Sequence, residues 1–577
     1  MGGTGGVSAS EISVGEVVAL LRDQSGGLLK AVANGLYVFW IGSGISRNRA
    51  PDVKKLVDQI LVFLQSNINA SDNLCPHRRA FETALDLAEL SQLEQEHTDM
   101  GKNIREWPTH GAIVNRLSNK YSELLDIDFT GRPPDYLLWE VVDPAATYGV
   151  DLSEPDAEHY CLAVLVLEGA LPEIVSPNWD GLIEKAVEDL AGTDSSAMTV
   201  CVTSEDFRSP STLSRILKFH GCAVRAGADA ATYREYLVGR RSQITSWPTD
   251  DEHQVMRAEM ILLAAKRRTL MIGLSAQDWN IQDLFAAAKS MLAWQWPISP
   301  PAFVFAEDAI GNHQTNILRV AYGNSYEGNH TEIASLALVR AFAKPLLFAL
   351  TLGVIGHKIE ALAKGAWGTD NDGVTHQSIA SGISAVLSTA SGAIIDQSDL
   401  EARRVISHLA KTMALLRDGR PPQAELRYQP ISNSPAHVMA TDPNILAGGL
   451  PHAALALAVL GTESEEGTWE MSVSGPSSSG NWAPVTLKAD TTVSRLFFAA
   501  DASVAVQLEL GDFVDSTDGD VVVVHSARRP QKIQRSPTAA PGRTGAKAAR
   551  HVDMAEILDD SPNYLDVRRR FREELTL

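Results

Sequence analysis

The sequence predicts a doubly wound α/β fold built on a parallel sheet. Between about Gly35 and Phe305, short β-branched or apolar runs alternate with stretches of helical spacing, the pattern of a parallel sheet with helices on both faces. Several of those runs end in glycine, serine, asparagine or histidine, which do not look like packing choices. In open α/β sheets ligands bind beyond the carboxyl ends of the strands, so these ends are the candidate functional positions.

The first run is LYVFWIG (Leu36–Gly42), followed by SGISRNRAPD. Gly42 and Gly44 flank Ser43 at the end of an apolar strand. That fits either a tight strand-to-helix turn or a backbone that closes on a phosphate, and the local sequence leaves both open. Pro51-Asp52 then opens a helix in VKKLVDQILVFLQ, where Val53, Leu56, Val57, Ile60, Leu61 and Leu64 follow helical spacing. Pro76 to about Glu168 reads as helical and polar, broken at Gly131–Pro134, and is expected to form an inserted smaller lobe. The sheet resumes with EIVS (Glu173–Ser176), MTVCVT (Met198–Thr203), RILKFHG (Arg215–Gly221), TLMIGLS (Thr269–Ser275) and AFVFA (Ala302–Ala306).

Downstream, Thr331–Lys364 and Leu400–Arg417 show helical spacing, separated by a Gly/Ser/Thr-rich stretch around Trp367–Ser381. A boundary is expected near Gly419–Pro430. Asp-Gly, Gly and Ser turns between short β-branched runs predict a β-rich module over Ser432–Ala527. A basic, Pro/Ala/Gly-rich tail follows, carrying Arg528, Arg529, Lys532, Arg535, Arg543, Lys547 and Arg550, and a short helix is expected around Tyr564–Leu575. The expected organisation is an N-terminal extension (1–30), a main α/β domain (31–330, insertion about 76–168), a helical connector (331–430), a β-rich module (431–527) and the tail with its helix (528–577).

At 577 residues the chain has room for two to four domains at roughly 150 residues each. Charged residues make up 21% and hydrophobic residues 45%, ordinary values for a globular protein. A formal net charge of −21 opposes general nucleic-acid binding by repulsion from phosphate. Cys75, Cys161, Cys201 and Cys222 form no CxxC pair, which argues against a zinc ribbon or a disulfide framework and for buried thiols in a cytoplasmic protein. MGGTGGVSAS lacks the basic and apolar regions of a signal peptide, and glycine at position 6 departs from the myristoylation pattern. The longest apolar stretch, PLLFALTLGVIG (Pro345–Gly356), is shorter than the roughly 20 residues of a membrane span and is expected to be a buried helix.

Three strand ends carry the chemistry. EIVS leads into SPNWDGL, with Asn178 and Asp180; ILKF leads into His220-Gly221; TLMIGLS leads into AQDWNI, with Gly273, Ser275 and Asp278. Each has a purely structural alternative, as helix caps, a structural histidine or turn residues. Their co-occurrence in this order at equivalent strand ends points to one crevice.

That order resembles the sirtuin, or SIR2-like, family over roughly Ala31 to Tyr326. GSGIS (Gly42–Ser46) is similar to the family's phosphate loop, SPNWDGL to its TQNxDxL motif, FHG (Phe219–Gly221) to its catalytic histidine motif, and GLSAQDWNI (Gly273–Ile281) to its ribose loop. The resemblance implies a Rossmann-like NAD-binding sheet with a smaller lobe. It also implies NAD+ as substrate, held by Gly42, Ser43, Gly44, Ser46, Asp180, Gly273, Ser275 and Asp278, with Asn178 and His220 catalytic. Asn178 would hold water or the ribose hydroxyls, His220 would accept a proton, and the dinucleotide phosphates would lie against the Gly42–Gly44 amides.

Two departures redirect the reading. Ala50-Pro51-Asp52 is followed by Val53-Lys54, so the aromatic and arginine of the deacetylase loop are missing, and so are the CxxC pairs of its zinc ribbon. SIR2-like effectors of bacterial antiphage defence share these losses. The resemblance therefore implies NAD+ hydrolysis to nicotinamide and ADP-ribose, with no metal. It further implies a cytoplasmic, homo-oligomeric effector, regulated by a protein partner or phage-derived trigger through its C-terminal region. The rivals are a deacylase or ADP-ribosyltransferase, and a non-catalytic module sensing NAD or ADP-ribose.

Overall fold

The computed structural model describes residues 8–23, 27–72, 74–149, 154–192, 197–210, 212–292, 294–368, 373–473, 482–526 and 548–575. Among these residues the strands form two sheets. The first contains β1 (Tyr37–Ile41), β2 (Glu173–Ser176), β3 (Met198–Cys201), β4 (Ser214–Lys218), β5 (Arg268–Ile272), β6 (Phe303–Ala306) and β7 (Leu338–Val339), in the order β3-β4-β2-β1-β5-β6-β7. All its pairings are parallel. From β1 the chain adds β2 beside it, places β3 at the edge, inserts β4 between β2 and β3, and returns to lay β5 on the other side of β1. The winding reverses between β1 and β5, where α/β sheets of this kind open a crevice.

The strand sequences build this sheet because both of their faces are apolar. In β1, Tyr37, Phe39 and Ile41 join one hydrophobic core while Val38 and Trp40 join another on the opposite face. Leu270 and Ile272 against Met271, and Val304 and Ala306 against Phe303 and Phe305, repeat the division. Helices Leu28–Ala33, Ala157–Leu167, Leu182–Ala191 and Ala343–Trp367 cover the first face; Gln254–Lys266, Trp279–Leu292 and Asn312–Tyr322 cover the second. Helix Val53–Ser66 starts at Asp52, whose carboxylate accepts the Lys55 N–H at 2.9 Å. Its apolar stripe (Val57, Ile60, Leu61, Leu64) packs with Phe81, Trp107, Ile113, Leu117 and Leu138 as the core of the inserted lobe.

Several expectations change. Helix Ala157–Leu167, read as the end of a polar insertion, is buried along its whole length and belongs to the main core. Val14, Val17, Val18 and Leu21, read as an N-terminal extension, pack into that same core. β7 pairs with β6 from within a stretch read as wholly helical. The Gly/Ser/Thr-rich stretch around Trp367–Ser381 is not a plain break, because helix Gly373–Gly392 runs through its second half. Its small residues allow two helices to touch: a Cβ on Gly382 would lie 2.0 Å from Ala458 O, and one on Gly461 2.0 Å from Gly382 O. Composition alone cannot separate such a crossing from a loop. The apolar stretch around Pro345–Gly356 belongs to a 25-residue helix, Ala343–Trp367, long and apolar enough to cross a membrane, with 78% of its apolar window buried inside the protein.

The second sheet is mixed, in the order β12-β11-β10-β9-β8: β8 (Glu470–Ser472), β9 (Val485–Ala489), β10 (Thr492–Ala499), β11 (Val521–His525) and β12 (Arg550–Asp553). β8, β9 and β10 pair antiparallel, whereas β11 and β12 add in parallel. The module read as β-rich also contains helices Leu450–Glu465 and Ala502–Leu510, and its last strand begins at Arg550, within the tail. Residues 527–547 of that tail lie outside the described residues. Leu487, Leu496, Phe498, Val522 and Val524 share one apolar core with β1 and helix Ala343–Trp367, so the expected boundary at Gly419–Pro430 runs through elements packed together. Helix Tyr564–Leu575 buries Tyr564, Val567, Phe571 and Leu575 on the same core.

Candidate active site

The loops leaving β1 and β5 touch. The Gly42 N–H donates to Ile272 O at 3.0 Å and the Gly44 N–H to Gly273 O at 3.1 Å. A Cβ on Gly42 would stand 2.2 Å from Gly273 O, and one on Gly44 2.8 Å from Gly273 Cα. Gly273 itself has φ +62°, in the left-handed region that favours glycine. The glycines thus serve contact between two loops. Of the Gly42–Gly44 amides expected to lie against a phosphate, those of Gly42 and Gly44 donate to the β5 loop instead. Ser43 is the exposed residue of this loop, at the start of the 3-10 turn Ser43–Ser46. Ser46 is buried with Oγ 3.1 Å from His159 Nε2. His159 Nδ1 accepts the Asp156 backbone N–H at 3.0 Å, so the ring's proton sits on Nε2 and donates to Ser46.

β2 and β4 are neighbours, with Ser176 opposite Lys218. Asn178 and His220 therefore stand equally far beyond a paired position on adjacent strands. Ser176 Oγ donates to Ile41 O at 2.9 Å and accepts the Asn178 N–H at 3.1 Å, tying the end of β1 to the Asn178 loop. Asn178 is 7% exposed, and both polar atoms of its side chain are buried without a partner. Buried amides are nearly always paired, which sets this one apart. Asp180 accepts the Leu182 N–H at 3.2 Å on one carboxylate oxygen, capping helix Leu182–Ala191. Its carbonyl accepts from the Lys218 ammonium, which is itself buried and ion-paired to Glu184 at 2.6 Å.

His220 is buried, with Nε2 2.6 Å from the Asn280 amide nitrogen. Burial holds its pKa below the ordinary histidine value, while Asp278 and the Asn280 contact pull the other way. Its carbonyl accepts the Val238 N–H at 3.0 Å. Gly221, at φ +88°, is needed behind it, since a Cβ there would meet Tyr236 O at 2.5 Å. In the loop after β5, Ser275 is exposed and Asp278 half-buried. Between them Ala276 is held buried at φ 54°, an unusual conformation for a residue with a Cβ, of the kind that clusters at functional sites. The inserted lobe closes over this end of the sheet. Tyr148 donates to Pro51 O at 3.2 Å and meets the Trp179 ring edge-on at 5.6 Å, and Tyr121 lies within electrostatic reach of Asp278.

The structure thus brings Gly42, Gly44 and Gly273 into contact, places Asn178 and His220 on adjacent strand ends, and leaves Asp278 within electrostatic reach of His220. It turns Ser46 toward His159. Sequence reasoning missed Ser176, Lys218, Asn280, Tyr121 and Tyr148. Lys218 had a signal, a lysine inside the apolar strand ILKF, because a fully buried lysine is almost always paired. Asn280 stood inside a quoted motif. The two tyrosines had no signal, lying far from the motifs in sequence. Among the described residues, no cluster of His, Cys, Asp and Glu is arranged to hold a metal ion, and the four cysteines are free and buried. A larger cavity of about 750 Å³ lies between Pro133–Trp139 and the Arg234–His253 segment. It reaches toward His220 through His253, which stacks on Trp247, whose indole donates to Phe219 O at 3.0 Å.

Sheet and crevice define the class: a doubly wound α/β domain with polar residues gathered at the carboxyl ends of its central strands. Residues 172–326 match the family model described as SIR2-like domain. The span runs from β2 through β6 and includes Asn178, Asp180, His220, Gly273, Ser275 and Asp278. The chain therefore contains a SIR2-like domain, a type associated with enzymatic, NAD-related chemistry. β1 and the Gly42–Ser46 loop precede the matched span but complete the same sheet. No curated protein matches the chain.

Proposed function

We propose that this domain hydrolyses NAD+ at the bond between nicotinamide and ribose C1′, giving nicotinamide and ADP-ribose. The observation that carries the reading is Asn178, whose buried side-chain amide has neither donor nor acceptor satisfied, on the strand next to a histidine that burial keeps neutral. An amide can hold both a ribose hydroxyl and a water, since it donates and accepts. His220, neutral at cellular pH, takes a proton from either on Nδ1, with the Asn280 amide turned so that its otherwise unpaired oxygen accepts from Nε2–H and fixes the ring. Lys218 and Ser176 anchor the backbone on both sides of Asn178. Ser43, Ser275 and Asp278 present the remaining polar groups to the dinucleotide. Tyr148, Trp179 and Tyr121 supply the apolar cover that limits access of bulk water.

The wider reading is a cytoplasmic NAD-depleting effector of antiphage defence, working as a homo-oligomer and switched through its C-terminal region by a protein partner or a phage-derived trigger. Its support is mechanical: the C-terminal half grips the catalytic sheet. Lys358 is buried in an ion pair with Glu168 at 2.8 Å, and Tyr428 and the Ile431 N–H bond the other carboxylate oxygen. The test is incubation of the full chain with NAD+, following nicotinamide and ADP-ribose chromatographically. Asn178→Ala and His220→Ala are each expected to lose at least about a hundredfold in cleavage while remaining folded. Undiminished cleavage in both variants would refute the assignment, and ADP-ribose appearing on a protein or nucleotide acceptor would replace water as the acceptor.

A further inference from the structure

Outside the crevice, helices Ala343–Trp367, Gly373–Gly392, Asp399–Asp418 and Leu450–Glu465 and one face of β10 surround a cavity of about 170 Å³. No charged side chain lines it; Leu352, Ile355, Ile383, Ala454 and Phe498 are typical of its wall. Protein interiors leave few voids larger than a water, and an apolar cavity of ~150 Å³ stays dry and takes up benzene. Two further polar side chains line the wall: Thr412, whose Oγ1 is buried and has no hydrogen-bond partner, and His408, which meets the Trp482 ring edge-on at 5.6 Å. The Tyr428 hydroxyl also borders the space but donates to Glu168. A second void of about 60 Å³ adjoins it, sharing Leu352, Ala390, His408, Leu409 and Val473; its own wall includes Arg404, ion-paired with Glu401.

We propose that this cavity is a binding site for a small uncharged molecule: a benzene-sized ring, or a chain of about six carbons bearing one hydroxyl or carbonyl that pairs with Thr412. The same helix that supplies Thr412, Leu409 and Met413 to the wall begins at Asp399, ion-paired at 2.8 Å with Arg49 in the segment following the Gly42–Ser46 turn. One turn on, Arg403 pairs with Glu154 at 3.2 Å and lies over the Tyr160 ring at 4.9 Å. A molecule in the cavity therefore presses on the helix whose first turn holds the Arg49 segment, and its occupancy is carried to that segment. The binding part of this proposal does not depend on NAD+ hydrolysis.

The experiment uses the full chain without NAD+. Fluorobenzene is followed by its fluorine line width, and 1-hexanol is titrated as a competitor. Broadening that 1-hexanol reverses is expected. Thr412→Val, which keeps the shape and removes the hydroxyl, is expected to weaken 1-hexanol by about fivefold and leave fluorobenzene unchanged. Ala454→Leu, which fills the cavity, is expected to weaken both by at least about tenfold. No broadening in folded wild type, or equal binding by a folded Ala454→Leu, overturns the site. Hydrogen exchange at residues 42–52 is expected to change when wild type is saturated with 1-hexanol; binding without that change overturns the link to Arg49.

Discussion

Replacing His159 by asparagine removes a buried titrating ring from beneath the Gly42–Ser46 turn and leaves a neutral side chain on the same helix. His159 has no exposed surface, and burial pushes its pKa down from 6.5 to about 4 against the pull of Asp180 and Asp156. Geometry agrees in direction, since Nδ1 already accepts the Asp156 N–H and has no room for a second proton. A histidine held below its unfolded pKa takes up its proton on unfolding, so its contribution to stability is complete above about pH 6.5 and is lost as the pH falls toward about 4. At about 1.4 kcal/mol for each pH unit the full interval is worth about 3 kcal/mol, of which about 2.5 kcal/mol is gone by pH 4.5. The assay is urea unfolding of wild type and His159→Asn at pH 7 and pH 4.5, comparing how much each loses. Other titrating groups, His253 among them, affect both proteins alike and cancel in the difference. Wild type is expected to lose about 2.5 kcal/mol more than the variant over this interval. Equal losses would show that the buried ring is not held neutral, and would refute the proton assignment at Ser46.

Gly42→Ala places a methyl group 2.2 Å from Gly273 O, where only backbone can give way, so the β1 and β5 loops must part. Calorimetry is expected to show NAD+ binding weakened at least about tenfold, with Gly44→Ala milder because its nearest contact is 2.8 Å. Lys358→Met leaves Glu168 buried without its cation and is expected to cost about 3–5 kcal/mol in urea unfolding, whereas the double variant with Glu168→Leu is expected to recover much of that loss.

The sequence by itself determined the parallel sheet. A parallel strand buried on both faces is an almost unbroken apolar run, so β1, β2 and β4–β6 are visible as local composition, and Asn178, His220 and Gly273 stand out as residues that break those runs at one end. What the sequence could not decide is which atoms those ends face. Gly42 and Gly44 fitted a turn or a phosphate equally well until the β5 loop was seen lying against them, and their two N–H groups proved to be spent on its carbonyls. Ser46 carried a free hydroxyl in the sequence, and its oxygen accepts the Nε2–H of His159, 113 residues away. The helix through Gly382 read as a break because small residues suit both a loop and a close helix crossing, and only its contact with Gly461 separates the two. Local pattern encodes which face of an element is buried; the partner of a buried polar atom or of a missing Cβ is set by chain brought together from far away, and that exists only once the fold has formed.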